Sequence, residues 1–193
     1  MIPNSACAPA VSADRKRIAE STGKTAVKIA MENLKPSDYL SEKNFLNALV
    51  SINDYFDYYA FSDQDDIWYP EKLEKAIKSL EEYPDNQANL YGSRTELIGA
   101  SEEIKLGKSI EFKKSPSFQN ALTQNIFGGN TMVFNRTAFD LICSTKINQK
   151  IIAHDWWCYQ IISGAGGNVF YDKNIYLKYR QHNNNCLLYT SDA

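Results

Sequence analysis

The stretch Asp57–Ala76, DYYAFSDQDDIWYPEKLEKA, decides the fold. Tyr58–Phe61 is an apolar, aromatic-rich run without polar alternation, and it predicts a strand buried on both faces, as in the interior of a parallel sheet. Three carboxylates follow at once: Asp63, Asp65 and Asp66. Pro70 then stands where a helix can begin, and Leu73, Ala76, Ile77 and Leu80 recur at helical spacing on one face. The unit reads as strand, acidic turn, helix. Ligands of open α/β sheets bind at the carboxyl ends of strands, and hard carboxylate oxygens placed there suit a divalent cation carrying a diphosphate.

Working outward, Ala26–Met31 predicts a strand. The segment 41–54 predicts a helix, with Ser41 as cap and Phe45, Leu46, Leu49, Val50 and Ile52 on its buried side. Downstream, Asn89–Ile98 predicts another strand. Gly99–Ser115 is a polar, lysine-rich connection without periodicity, of a length usually found in lids or links. Ser117–Gln124 predicts a short helix, and Gly128 and Gly129 lead into a strand at Thr131–Phe134. Paired glycines there serve either a tight turn or a close approach of backbone to ligand. Helices are predicted at Arg136–Cys143 and Asp155–Ser163. Two strands, Asn168–Tyr171 and Ile175–Tyr179, then deliver Arg180, Gln181 and His182.

With 193 residues, 44% apolar and 23% charged, the chain has the composition of one ordinary globular domain. A formal charge of -2 gives no sign of nucleic-acid binding. No run of about 18 apolar residues occurs and the N-terminus lacks a basic-then-apolar order, so the expectation is a cytoplasmic protein, at most peripheral to the inner face of the membrane. Cys7, Cys143, Cys158 and Cys186 show neither CxxC nor a disulfide pattern and are read as free thiols. Gly23, Lys24 and Thr25 look like the end of a phosphate loop, but Ile18 stands where that motif requires its first glycine.

The run FSDQDDIWYPEKL resembles the Asp-x-Asp segment of the family 2 glycosyltransferases, especially their bacterial rhamnosyltransferase-like branch. GGNTMVFNR (Gly128–Arg136), HDWW (His154–Trp157) and YRQH (Tyr179–His182) match the same branch in the same order. The likeness spans roughly residues 33 to 185. It implies an α/β, GT-A (nucleotide-diphospho-sugar transferase), Rossmann-like fold with a mainly parallel central sheet flanked by helices. The family's opening strand with its Tyr-Asn turn, and the acidic pair ending its second strand, are not visible before Ala26, so residues 1–185 are expected to be a domain short of its first strands. The tail 186–193, CLLYTSDA, resembles a translated sequencing adapter and is set apart from the fold.

The same resemblance implies a metal-dependent, inverting transfer. The sugar, rhamnose by likeness, would leave a nucleotide diphosphate (dTDP-rhamnose or a UDP-sugar) for a surface polysaccharide or lipid-linked acceptor. It assigns Asp65 as the direct ligand of Mn or Mg, and Asp63 as a contact to the ribose or to the metal through water. Asp66 falls on the same nucleotide-sugar side, although its position also suits a cap on the following turn. His182 would be a further metal ligand and Asp155 the catalytic base. Gly129, Asn130 and Trp156 fall on the sugar and acceptor side, and of Trp156 and Trp157 one is expected to stack on a sugar face and one to fill the core.

Other readings compete. The three acids would also favour the positive end of the helix after Pro70, and Asp155 would also cap its own helix. The chain could be an inactive fragment of such an enzyme. A haloacid-dehalogenase-type phosphohydrolase also opens with a strand ending in Asp-x-Asp, with Asp63 as nucleophile and Asp65 as general acid. That chemistry needs a second acidic pair on a later strand end, and no such pair follows the middle of the chain.

Overall fold

Tyr58, Tyr59, Ala60, Phe61 and Ser62 are all buried, and the strand they form, β2 (Tyr58–Ser62), lies inside a mixed sheet. The structure, a computed structural model, describes residues 26–30, 43–50, 52, 55–63, 65–145 and 151–181. Around β2 the described strands are β1 (Ala26–Ala30), β3 (Ile67–Trp68), β4 (Asn89–Ile98), β5 (Lys105–Lys108), β6 (Val133–Asn135) and β7 (Asn168–Arg180). The sheet order is β1-β2-β6-β4-β7-β3, with β5 added to β4 off this path. The helices are α1 (Lys43–Val50), α2 (Lys72–Leu80), α3 (Phe118–Ala121), α4 (Arg136–Ser144) and α5 (His154–Gly164), with a 3-10 turn at Gly129–Thr131.

The side chains of β2 alternate between two apolar layers, which is why the run carries no polar residue to betray its period. Tyr59 and Phe61 enter a core with Leu46 and Leu49 of α1, Phe139 and Ile142 of α4, and Cys158, Tyr159 and Ile162 of α5. Tyr58 and Ala60 enter the opposite layer, where Leu73, Ala76, Ile77 and Leu80 of α2 pack with Tyr91 and Val133. These are the four α2 positions expected from the sequence. Burial of each large aliphatic side chain among them stabilises the fold by about 2 kcal/mol. The helix opens at Lys72 rather than at Pro70, which sits in the lead-in turn.

Several expectations need correction. The sheet is not mainly parallel: β1–β2 and β4–β7 are parallel, whereas β2–β6, β4–β6, β3–β7 and β4–β5 are antiparallel. The short β6 causes this, because it enters between β2 and β4 running against both. The two strands expected near the end are one strand, β7, whose register against β4 shifts between Ser93 and Glu96. Its polar middle is held locally, where Asp172 Oδ1 accepts the amide hydrogen of Asn174. The connection 99–115 is not without structure, since β5 folds back on β4 as a hairpin arm, with Gly107 at φ 130 where a side chain would be strained. Of the expected helix 41–54, α1 is described over Lys43–Val50, the proposed cap Ser41 lies outside the described residues, and Val50, expected to be buried, is 47% exposed. The strand expected at Thr131–Phe134 begins at Val133 because Gly129–Thr131 is a 3-10 turn.

Candidate functional site

The tip of β2 and the start of α5 face one cavity of about 490 Å³. Asp63, the first residue beyond β2, lines it on one side; Gly129, Asn130, His154 and Asp155 line it on another. Leu106 and Ile110 of the β5 arm, with Phe112, form an apolar wall, so the lysine-rich connection does border the site.

Asp155 is the second residue of α5, and its carboxylate is doubly held. Oδ1 accepts the amide hydrogen of Trp156 at 2.6 Å and Oδ2 accepts that of Gly129 at 3.1 Å. It therefore satisfies an amide of the helix's first turn while also lining the cavity, but from inside the helix and not from the cap position that the capping alternative expected. The residue preceding the helix, Ala153, provides no side-chain cap.

The three acids of the turn take different roles. Burial pushes the Asp63 carboxyl up, Asp65 and Asp155 push it the same way, and His154 and Lys72 oppose them. Asp66 is pushed up to about 7, first by burial and then by the charge of Asp63, against the hydrogen bonds from Asn130 and Arg180. Asp66 does not cap the following turn as expected. One of its oxygens accepts from the Asn130 side-chain amide, and the other accepts the backbone amide of Arg180 at 3.2 Å. The guanidinium of Arg180 donates to the carbonyl of Asp65 at 3.2 Å and to that of Ala100 at 2.6 Å. The acidic turn is thus tied to the Gly128–Thr131 turn and to the end of β7. Of the acids, Asp63 lines the cavity and Asp65 does not.

The glycines serve space rather than turn geometry. Among the described residues only Gly107 and Gly166 have positive φ. A side chain at Gly129 would meet His154 Nε2 at 2.3 Å, and one at Gly128 would meet Asn130 Oδ1 at 2.8 Å. The imidazole needs this room because it is stacked on Phe45 at 4.3 Å and set edge-on to Phe61 at 5.1 Å.

Trp156 is not brought to the cavity. Its indole N–H donates to the Ala121 carbonyl at 2.7 Å, which joins α5 to α3. Trp157 packs against the core. His182 lies outside the described residues. Sequence reasoning missed Lys72, His154 and Arg180, whose side chains pack into or brace the site. His154 was visible in HDWW, but a lysine at the start of an amphipathic helix gives no sign that it is buried.

Among the described residues no group of three or more His, Cys, Asp or Glu side chains is arranged to hold a metal ion. A hard cation needs no such group when it is held by one or two carboxylates and by substrate phosphates. Asp63 and Asp65 supply oxygen donors of that kind, and because burial disfavours the charged form of Asp63, a cation beside it would stabilise the carboxylate.

Two comparisons with known proteins bear on this cleft. A dTDP-rhamnosyl transferase of Shigella flexneri, RfbG, is 30% identical over 149 residues, covering 74% of this chain and 50% of the relative. The chain therefore has a glycosyltransferase among its relatives, and it spans about half the length of that protein. The N-terminal model of the dihydroxy-acid/6-phosphogluconate dehydratases matches residues 1–53. That match ends before Asp63 and before every other described residue lining the cavity. No described helix is long and apolar enough to cross a membrane.

Proposed function

We propose that the chain carries the sugar-transfer site of a family 2, GT-A glycosyltransferase. In this reading it moves a sugar from a nucleotide diphosphate, dTDP-rhamnose by likeness to the Shigella relative, to a hydroxyl of a glycan or lipid-linked acceptor. The observation that carries this reading is that Asp63 and Asp155, 92 positions apart in the chain, line the same cavity.

Asp155 is the general base. Its carboxylate is oriented by the Gly129 amide and takes the proton of the acceptor hydroxyl. The acceptor oxygen then bonds to the anomeric carbon from the face opposite the diphosphate, the bond to the diphosphate oxygen breaks, and the configuration inverts. Asp65 and Asp63 would hold Mn or Mg, which when bound offsets the charge gathering on the departing diphosphate. Asp66 steadies the turn that carries them, through Asn130 and Arg180. Asn130 and Gly129, which line the cavity, would contact the sugar.

The test is release of dTDP from dTDP-rhamnose in the presence of Mn, with water as acceptor. Release that needs both Mn and Asp155 supports the reading, and a chain that binds and releases nothing refutes it for this protein.

A further inference from the structure

Lys72 is fully buried. It is the first residue of α2, and its ammonium lies 3.4 Å from the centroid of the Trp68 ring and donates to the Asn130 carbonyl at 2.5 Å. The neighbouring residue, Gly129, gives its amide hydrogen to Asp155. The side chain of Asn130 itself binds Asp66. One ammonium is therefore a single step from the turn that contacts both the carboxylate at the start of α5 and the carboxylate beyond β2.

Keeping a charge there is costly. Removing an ammonium from water carries a penalty that its partners, a carbonyl and an aromatic face among them, have to offset, and well-packed apolar replacements of buried charges are often neutral or stabilising. Methionine has nearly the same length and would fill the same space between Trp68 and Asn130. The gain from lysine is then local: a donor that pins the Asn130 carbonyl of a turn whose own backbone bonds are Thr131 N–H to Gly128 O at 2.9 Å and Met132 N–H to Gly129 O at 3.0 Å, and whose outward bonds reach Asp155 and Asp66.

We propose that Lys72 is a positioning residue which pins the Gly128–Thr131 turn and thereby keeps Asp155, at the cavity, in register with Asp66 in the acidic turn. This rests on the sugar-transfer reading for its catalytic meaning, but not for its structural content. The charge of Lys72 is also felt at Asp63, so the lysine bears on that carboxylate as well as on Asp155 and Asp66.

The experiment compares wild type with Lys72→Met. Amide exchange at Gly129 is followed by NMR, stability by urea, and dTDP release from dTDP-rhamnose with Mn by steady-state kinetics. Expected for Lys72→Met is a folded protein with exchange at Gly129 faster by about tenfold or more and β2 and β4 amides unchanged. The kcat should fall by roughly ten- to a hundredfold while KM stays within about threefold. Unchanged exchange at Gly129, or exchange accelerated equally throughout the sheet, overturns the proposal. Should Lys72→Met fail to fold, Lys72→Gln, a shorter neutral donor, takes its place. If neither variant folds, the lysine is a general support of the fold and the proposal falls. If wild type releases no dTDP, the sugar-transfer reading fails, and the exchange measurement still decides the role of Lys72.

Discussion

Gly129 gives its amide hydrogen to Oδ2 of Asp155 across 3.1 Å, linking a turn in the middle of the chain to the first turn of α5. The bond fixes which way the carboxylate faces, and a base must face the proton it removes before its basicity matters. Asp155→Asn keeps one oxygen to accept a hydrogen bond but cannot take a proton. Mn-dependent donor binding should survive this change while dTDP release from dTDP-rhamnose falls by about a hundredfold or more. Release at the wild-type rate would show that another group acts as base.

Gly129→Ala should disturb the same place by crowding. The added carbon would lie 2.3 Å from His154 Nε2, and the imidazole is confined by Phe45 and Phe61. Overpacking of this kind costs about 1–3 kcal/mol. A lower urea midpoint is the expected result, and an unchanged one would mean that the ring has room to turn aside.

Asp66 makes the metal-free protein sensitive to pH. Its carboxyl is raised from 3.8 to about 7 in the folded state, first by burial and then by Asp63. The folded chain thus keeps a proton that the unfolded chain loses near its ordinary value. The stability from this group is complete below about pH 4 and is lost as the pH rises through 7. In EDTA, the urea midpoint should fall between pH 5 and pH 8, and Asp66→Asn should flatten that fall. A variant with the wild-type slope would move the origin of the effect elsewhere.

The legible parts of this fold are those in which one face of an element must be apolar. The period of Leu73, Ala76, Ile77 and Leu80 identified α2, and the unbroken run at Tyr58–Phe61 identified β2, because burial left no alternative composition. The bounds of β4 were equally plain. By contrast, β5 has all four residues exposed, so Lys105–Lys108 carries no hydrophobic signal, and its position comes from pairing with β4. Asp172, Lys173 and Asn174 looked like a break in β7 because a local register shift admits polar residues into a continuous strand. Strand direction could not be read either, since three buried residues at Val133–Asn135 look alike whichever way they run.

In the site, the carboxylates were legible as chemistry while their partners were not. Asp63 and Asp155 stood out by type and motif. The bonds from Asn130 and Arg180 to Asp66 span 64 and 114 positions, separations over which no local pattern extends. Lys72 illustrates the same limit, because helical spacing places it beside the buried stripe but does not reveal that Trp68 and the Asn130 carbonyl enclose its ammonium.

The central claim is that the acidic turn beyond β2 holds a cation that receives a nucleotide diphosphate. Calorimetric titration with dTDP, with and without Mn, in wild type and in Asp65→Asn, tests it most directly. Heat of binding should appear for wild type only when Mn is present and should vanish in Asp65→Asn. Binding that ignores Mn, or that Asp65→Asn leaves intact, would contradict the claim.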